Sequence, residues 1–225
     1  MIILGTLQQL FPIFDESKPG SVRIFRTIKR LFRILFVPKH EWISIANESE
    51  SIGLIIKYYA WPFIVLGALI KAGSVFIKFT NEADLIQFKI PFSLTILLFY
   101  MIIPLFVLIV GGSLIDRFSK SIGAAGHKNG AMRLLIYSYT PVFIATILIN
   151  TGSLNQYFQY AGVISVYAVF LFWMGMTPML HILSEQKYKL LVFSTLTLVF
   201  LFFIIMFIIR ITLNLLYPEG VILFL

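Results

Sequence analysis

The chain has 225 residues, 59% of them hydrophobic and 12% charged, with a mean hydropathy of +0.93; a soluble domain carries roughly 25% charged residues. That composition excludes a soluble domain as the main body and leaves room for several helical spans of about 20 residues each in one membrane domain. The net charge of +8 comes with no nucleic-acid-binding pattern, and the absence of cysteine excludes disulfides, thiolate metal sites and cysteine nucleophiles.

Residues 1–50 form an N-terminal cytosolic or interfacial segment. It opens on the apolar patch MIILGTLQQLFPIF, which lacks a basic flank and a small-residue cleavage motif, so no signal peptide is expected. Over residues 21–37, Ile24, Phe25, Ile28, Leu31, Phe32, Leu35 and Phe36 recur at helical spacing, with Arg23, Arg26, Lys29, Arg30 and Arg33 on the other positions. This predicts a basic amphipathic helix of about 25 Å, too charged to cross the bilayer. It is expected to lie in the interface plane with the five cations on anionic headgroups, in preference to packing its apolar stripe on the protein's own spans. Pro38 ends it, and a polar, acidic stretch over residues 41–51 follows.

Residues 51–225 then read as a five-span membrane domain, with spans at about 54–77, 90–115, 132–149, 157–180 and 190–216. Lys57 and Lys71 are expected near the two ends of the first, where long side chains snorkel. Pro91 is tolerated in the first turn of the second. Tyr58 precedes Pro62, Tyr100 precedes Pro104 and Tyr137 precedes Pro141, each by four residues, and Met174 stands in the same relation to Pro178. A proline frees the carbonyl four residues back, so kinks are expected, with a donor near each freed carbonyl; chance recurrence is the competing reading.

Charge sets the expected orientation. Lys18, Arg23, Arg26, Lys29, Arg30, Arg33 and Lys39 precede the spans; Arg117, Lys120, Lys128 and Arg133 surround the second loop; Lys187 and Lys189 lie in the fourth. The other loops hold Lys78 and Lys89, offset by Glu82 and Asp84. Five crossings therefore put the N-terminus in the cytoplasm and the C-terminus outside it. Asp116 and Arg117 are expected at a span end, either facing water, binding a headgroup, bracing the loop through Arg133 or relaying a proton.

No reactive constellation emerges. His40, His127 and His181 come from separate segments without metal-ligand spacing. The loop GAAGHKNG fails the P-loop pattern, and Ser138 and Thr140 have no histidine and carboxylate in the same span. Neither cofactor nor metal is expected.

Four pieces in order carry a family resemblance: Pro38-Lys39-His40-Glu41-Trp42 with Ile45 and Glu48; Gly112, Ile115 and Asp116 before the Gly123 loop; Tyr137-Ser138-Tyr139-Thr140-Pro141; and Tyr167 through Gly175 to Pro178. Over residues 34–215 the chain resembles the Yip family of Ypt/Rab-interacting five-span membrane proteins and their bacterial relatives. The positions matched are Pro38, Trp42, Glu48, Asp116, Tyr137, Tyr139, Pro141, Gly175 and Pro178. Eukaryotic members have a longer cytosolic region that engages prenylated Rab GTPases. The short segment here points to the bacterial branch and to the bacterial cytoplasmic (inner) membrane, with a periplasmic C-terminus.

The expectation is thus an all-α membrane protein, five proline-kinked transmembrane helices behind a basic amphipathic helix. It is expected to be non-enzymatic and to organise or scaffold a membrane or a membrane-protein complex. Its expected partners are anionic lipids and other integral membrane proteins or further copies of itself, with no nucleic acid. A small transporter or channel is the alternative; the nearly charge-free span centres count against it.

Overall fold

A computed structural model describes residues 19–80, 87–124, 126, 129–151 and 156–217. Among these residues every regular element is helical, and five helices are long and apolar enough to cross a bilayer: Ile52–Phe79, Lys89–Ser121, Gly130–Asn150, Tyr160–Leu180 and Ser184–Leu216, here the first to fifth spans. Two helices precede them, α1 (Pro19–Phe36) and α2 (Pro38–Ala46). The expected all-α architecture of five spans behind an amphipathic helix is therefore present.

The boundaries differ from the expected ones for identifiable reasons. Pro38 forces Val37 out of helical geometry (φ −135°, ψ 51°) and ends α1, but its fixed φ also suits a first helical position. The chain restarts at once, and α2 occupies part of the stretch expected to be an acidic connection. Ser51 caps the first span, its Oγ accepting from the Leu54 amide at 3.4 Å. The second span runs on to Ser121 rather than ending near residue 115, and Lys120 pairs with Asp116 one turn back at 2.5 Å. The fifth starts at Ser184, so Glu185, Lys187 and Lys189 ride on its first turns instead of a loop. Helical hydrogen bonding does not stop where hydrocarbon does. A helix of 33 residues is about 50 Å long against about 30 Å of hydrocarbon.

Irregular backbone accompanies several of the span prolines, and two of the four freed carbonyls meet identifiable donors. The carbonyl of Tyr58, four residues before Pro62, accepts from Thr27 Oγ of α1 at 3.0 Å, and a wide helical stretch spans Ile56–Ala60 beside it. The carbonyl of Tyr137, four before Pro141, accepts from Thr140 Oγ at 2.6 Å, where the third span breaks at Tyr139 (φ −73°, ψ −5°). Pro104 lies inside the second span, followed by a wide stretch over Val107–Gly111, and Pro178 lies near the end of the fourth. Lys71 stands inside the first span, its ammonium 5.9 Å from the centre of the Tyr100 ring.

The third span is the axis. Every residue from Arg133 to Ser138 is buried, whereas the second and fifth spans expose Leu94, Leu98, Ile102, Leu196, Phe203 and Phe207. Apolar side chains turned outward on the peripheral spans are what a lipid solvent requires. The larger core gathers Ile34, Trp42, Ile45, Ile55, Tyr59, Leu134, Tyr137, Leu171 and Met176 from α1, α2 and the first, third and fourth spans. A second cluster joins Val75, Phe79, Phe92, Ile96 and Leu213.

Close approach at the larger core depends on Gly175. A Cβ there would fall 2.5 Å from Leu134 Cδ1 and 2.6 Å from Trp42 Cε2, so the indole of α2 lies directly on the fourth span's backbone. Gly175→Val is expected to destabilise the protein by about 2 kcal/mol through forced repacking, read as a lower Tm in detergent. Gly53→Ala, where nothing lies within 4 Å, is expected to leave Tm unchanged or slightly raised.

Candidate functional site

Where α1, α2 and the third span meet, four ionic side chains and a tyrosine close on one another. Arg30 and Arg33 share a face of α1 by their three-residue spacing, and Glu41 lies in the first turn of α2. Arg30 Nε donates to Glu41 Oε1 at 3.2 Å, its Nη1 donates to the Tyr137 hydroxyl at 2.9 Å, and its Nη2 pairs with Glu48 Oε1. Arg33 Nε stands 2.8 Å from Glu41 Oε2, a charge contact without hydrogen-bond alignment, since Oε2 accepts no such bond. The Glu41 side chain is 2% exposed and that of Arg30 10%.

Two guanidinium groups face two carboxylates, so the cluster is charge-balanced and its desolvation is offset by direct pairing. Burial by itself would lower the pKa of Arg30, but the Tyr137 oxygen and the Glu48 carboxylate outweigh burial and hold it above its ordinary value. Arg30 is therefore a permanent cation inside the protein.

Aromatic rings frame the cluster. Tyr137 meets the edge of Trp42 at 6.4 Å between ring centres and Tyr59 at 4.7 Å, and Arg30 Cζ lies 5.5 Å from its centroid. Tyr59 OH lies 2.6 Å from Thr140 Oγ; because Thr140 donates to the Tyr137 carbonyl, Tyr59 is the donor. Arg133, buried on the third span, donates both terminal nitrogens to the carbonyls of Glu48 and Glu50. It ties the link between α2 and the first span to the axis of the bundle. A cavity of about 110 Å³ opens beside the cluster, between α1 and the first span.

The positions singled out by the sequence distribute unevenly. Of the family positions, Trp42, Glu48, Tyr137 and Gly175 meet at this cluster, Pro38 opens the helix that carries Glu41, and Pro141 creates the break whose Thr140 serves Tyr59. Tyr139 packs edge-on against Phe143 at 5.9 Å, and Pro178 lies in the last turns of the fourth span. Asp116 stands apart. Of the alternatives open for Asp116, the brace to Arg133 is not formed: Asp116 pairs with Lys120 on its own helix, while Arg133 is committed to the two backbone carbonyls.

Of the five cations expected at headgroups, Arg30 points into the protein and Arg33 is shared with Glu41. Arg26 and Lys29 are exposed, and the Arg23 side chain lies outside the description. His40 and His181 are exposed; His127 and Lys128 lie outside the described residues. Among the described residues no three His, Asp or Glu gather as a metal site.

The sequence reading missed Arg30, Glu41 and Arg133 as one unit. One signal was present: Arg30 lies three residues from Thr27 and four from Ile34, and this side of α1 faces the protein. The arrangement is mechanical in its chemistry. It clamps an amphipathic helix to a membrane bundle.

A family model, described as the Yip1 domain, matches residues 32–208. No curated protein and no solved structure matches the chain. The matched range includes Arg33, Glu41, Glu48, Arg133 and Tyr137 and begins two residues after Arg30.

Removing one partner of a buried pair leaves the others uncompensated. Arg30→Met is expected to cost about 3 kcal/mol, read as a lower Tm and as faster proteolysis within α1. Lys29→Met, one position away but exposed, is expected to change Tm little.

Proposed function

This chain belongs to the Yip1 family, and from that premise we propose that it is a non-enzymatic membrane organiser, scaffolding a lipid surface or a membrane-protein complex through α1. The coarser statement, an integral membrane protein with five spans, needs no proposal.

The observation that carries the reading is the three-sided character of α1. Thr27, Arg30 and Ile34 turn to the protein; Ile28, Phe32 and Phe36 form an exposed apolar stripe, 43%, 43% and 76% accessible; Arg26 and Lys29 are exposed beside it. On a helical wheel the order is protein face, apolar face, basic face. A helix held by one side and amphipathic on the rest suits a boundary with tails below and anionic headgroups above. The ionic clamp makes that placement rigid, so force or curvature at the lipid surface is transmitted to the spans.

The same reading puts α1 at the cytoplasmic face of a bacterial inner membrane, with the C-terminus in the periplasm. Its support is the distribution of Lys and Arg among the loops.

Because the chain has no cysteine, single spin labels test the placement of α1 directly. In anionic vesicles, a label at Phe32→Cys is expected to collide with oxygen dissolved in the tails, and one at Lys29→Cys with a water-soluble nickel chelate. Both labels reached by the chelate and neither by oxygen would refute the reading. Lys29→Gln is further expected to lower co-purified anionic lipid about fivefold.

A further inference from the structure

The cavity between α1 and the first span has walls of an unusual mixture. Arg26 and Glu50 stand at it with their charged ends 3.8 Å apart, beyond hydrogen-bond reach, their side chains 63% and 40% exposed. So wide and wet a pair is weakly coupled, and both charged ends remain open to a ligand in exchange for water. Arg30 and Tyr137 also line the cavity; the Tyr137 oxygen accepts from Arg30 and keeps its own proton to donate. Cationic and hydroxyl donors thus stand together with one carboxylate acceptor.

A simple anion in this cavity would meet repulsion from Glu50, and a simple cation would meet Arg26 and Arg30. A small zwitterion meets neither penalty. Leu54 and Tyr58, one turn apart on the first span, line the cavity and are also 43% and 36% exposed at the outer surface. They offer an apolar path leading away from the polar groups. The volume admits a phosphodiester headgroup but not acyl chains, which would have to follow that path.

We infer that the cavity binds the headgroup of a single phospholipid bearing both a phosphate and a primary ammonium, the chemistry of phosphatidylethanolamine. The phosphate lies against Arg26 and the Tyr137 hydroxyl, and the ammonium against Glu50. This rests on the proposed function only in putting α1 at headgroup level. It adds a specific lipid site distinct from the diffuse attraction of the exposed basic stripe.

Native mass spectrometry of the full chain in detergent tests it with four probes: dihexanoyl phosphatidylethanolamine, dihexanoyl phosphatidylglycerol, O-phosphoethanolamine and inorganic phosphate. The ethanolamine lipid is expected to bind about tenfold more tightly than the glycerol lipid, the worth of one charge-assisted hydrogen bond. Glu50→Gln is expected to erase that preference, and Arg26→Gln to weaken both lipids. The Glu50 carbonyl that Arg133 holds is retained in Glu50→Gln, and an unchanged Tm confirms the fold. Equal binding of the two lipids by the wild-type chain overturns the inference, as does a preference that survives in Glu50→Gln. Binding of O-phosphoethanolamine or phosphate as tightly as the lipid overturns the lipid source. The Lys29→Gln result is independent of all these outcomes, so the broader function stands or falls separately.

Discussion

The contact on which the architecture turns is Arg30 against Glu41 and Glu48, with the Tyr137 hydroxyl closing the set. It joins two consecutive helices, the amphipathic one and the short one after Pro38, to the central third span, whose Tyr137 lies 107 residues beyond Arg30. A buried ion cluster adds little net stability over a well-packed apolar equivalent, because desolvation consumes most of the Coulomb gain. Its value is directional. Apolar contacts would let α1 slide or roll on the bundle, whereas a guanidinium fork with three fixed partners admits one register.

Around that contact the bundle is built to let helices come close. The Trp42 indole reaches Tyr137 and Leu134 because position 175 has no side chain. In a bilayer no hydrophobic effect drives spans together, so small residues and internal hydrogen bonds do that work. The chain Tyr59 to Thr140 to the Tyr137 carbonyl and the bond from Thr27 to the Tyr58 carbonyl are of this kind. Proline opens the backbone at both places, and a nearby hydroxyl closes it again. Irregular helix and tertiary contact are therefore the same feature: without Pro62 the Tyr58 carbonyl would have its own helix for a partner.

The proposed function runs through α1. Its inward face is specific, its outward faces are generic, and each suits a different neighbour. Protein contacts set its orientation; in the proposed function its apolar residues meet tails and its exposed cations meet headgroups. Arg26 belongs to both the basic face and the cavity, so the general lipid attraction and the proposed headgroup site adjoin without being the same site. The family match takes in Arg33, Glu41, Glu48 and Tyr137 together with most of the spans, and begins two residues after Arg30.

Composition and periodicity were enough to establish five crossings, the helix in front of them and the proline-dependent irregularities. These are local properties: hydropathy over about 20 residues, the 3.6-residue repeat and the missing amide of proline. The order of Trp42, Tyr137, Pro141 and Gly175 along the chain was enough to point to the family. What lay beyond reach was which cation on α1 turns inward. Arg26, Lys29, Arg30 and Arg33 look alike in one dimension, and only the rotation of α1 on the spans separates Arg30 in its carboxylate cluster from Lys29 in the open. Arg133 shows the same limit. Its sequence neighbour by charge was Asp116, but helix direction places it against the carbonyls of Glu48 and Glu50. Electrostatic partners are chosen by three-dimensional approach between distant segments, and a pattern read along one strand of chain carries no record of that choice.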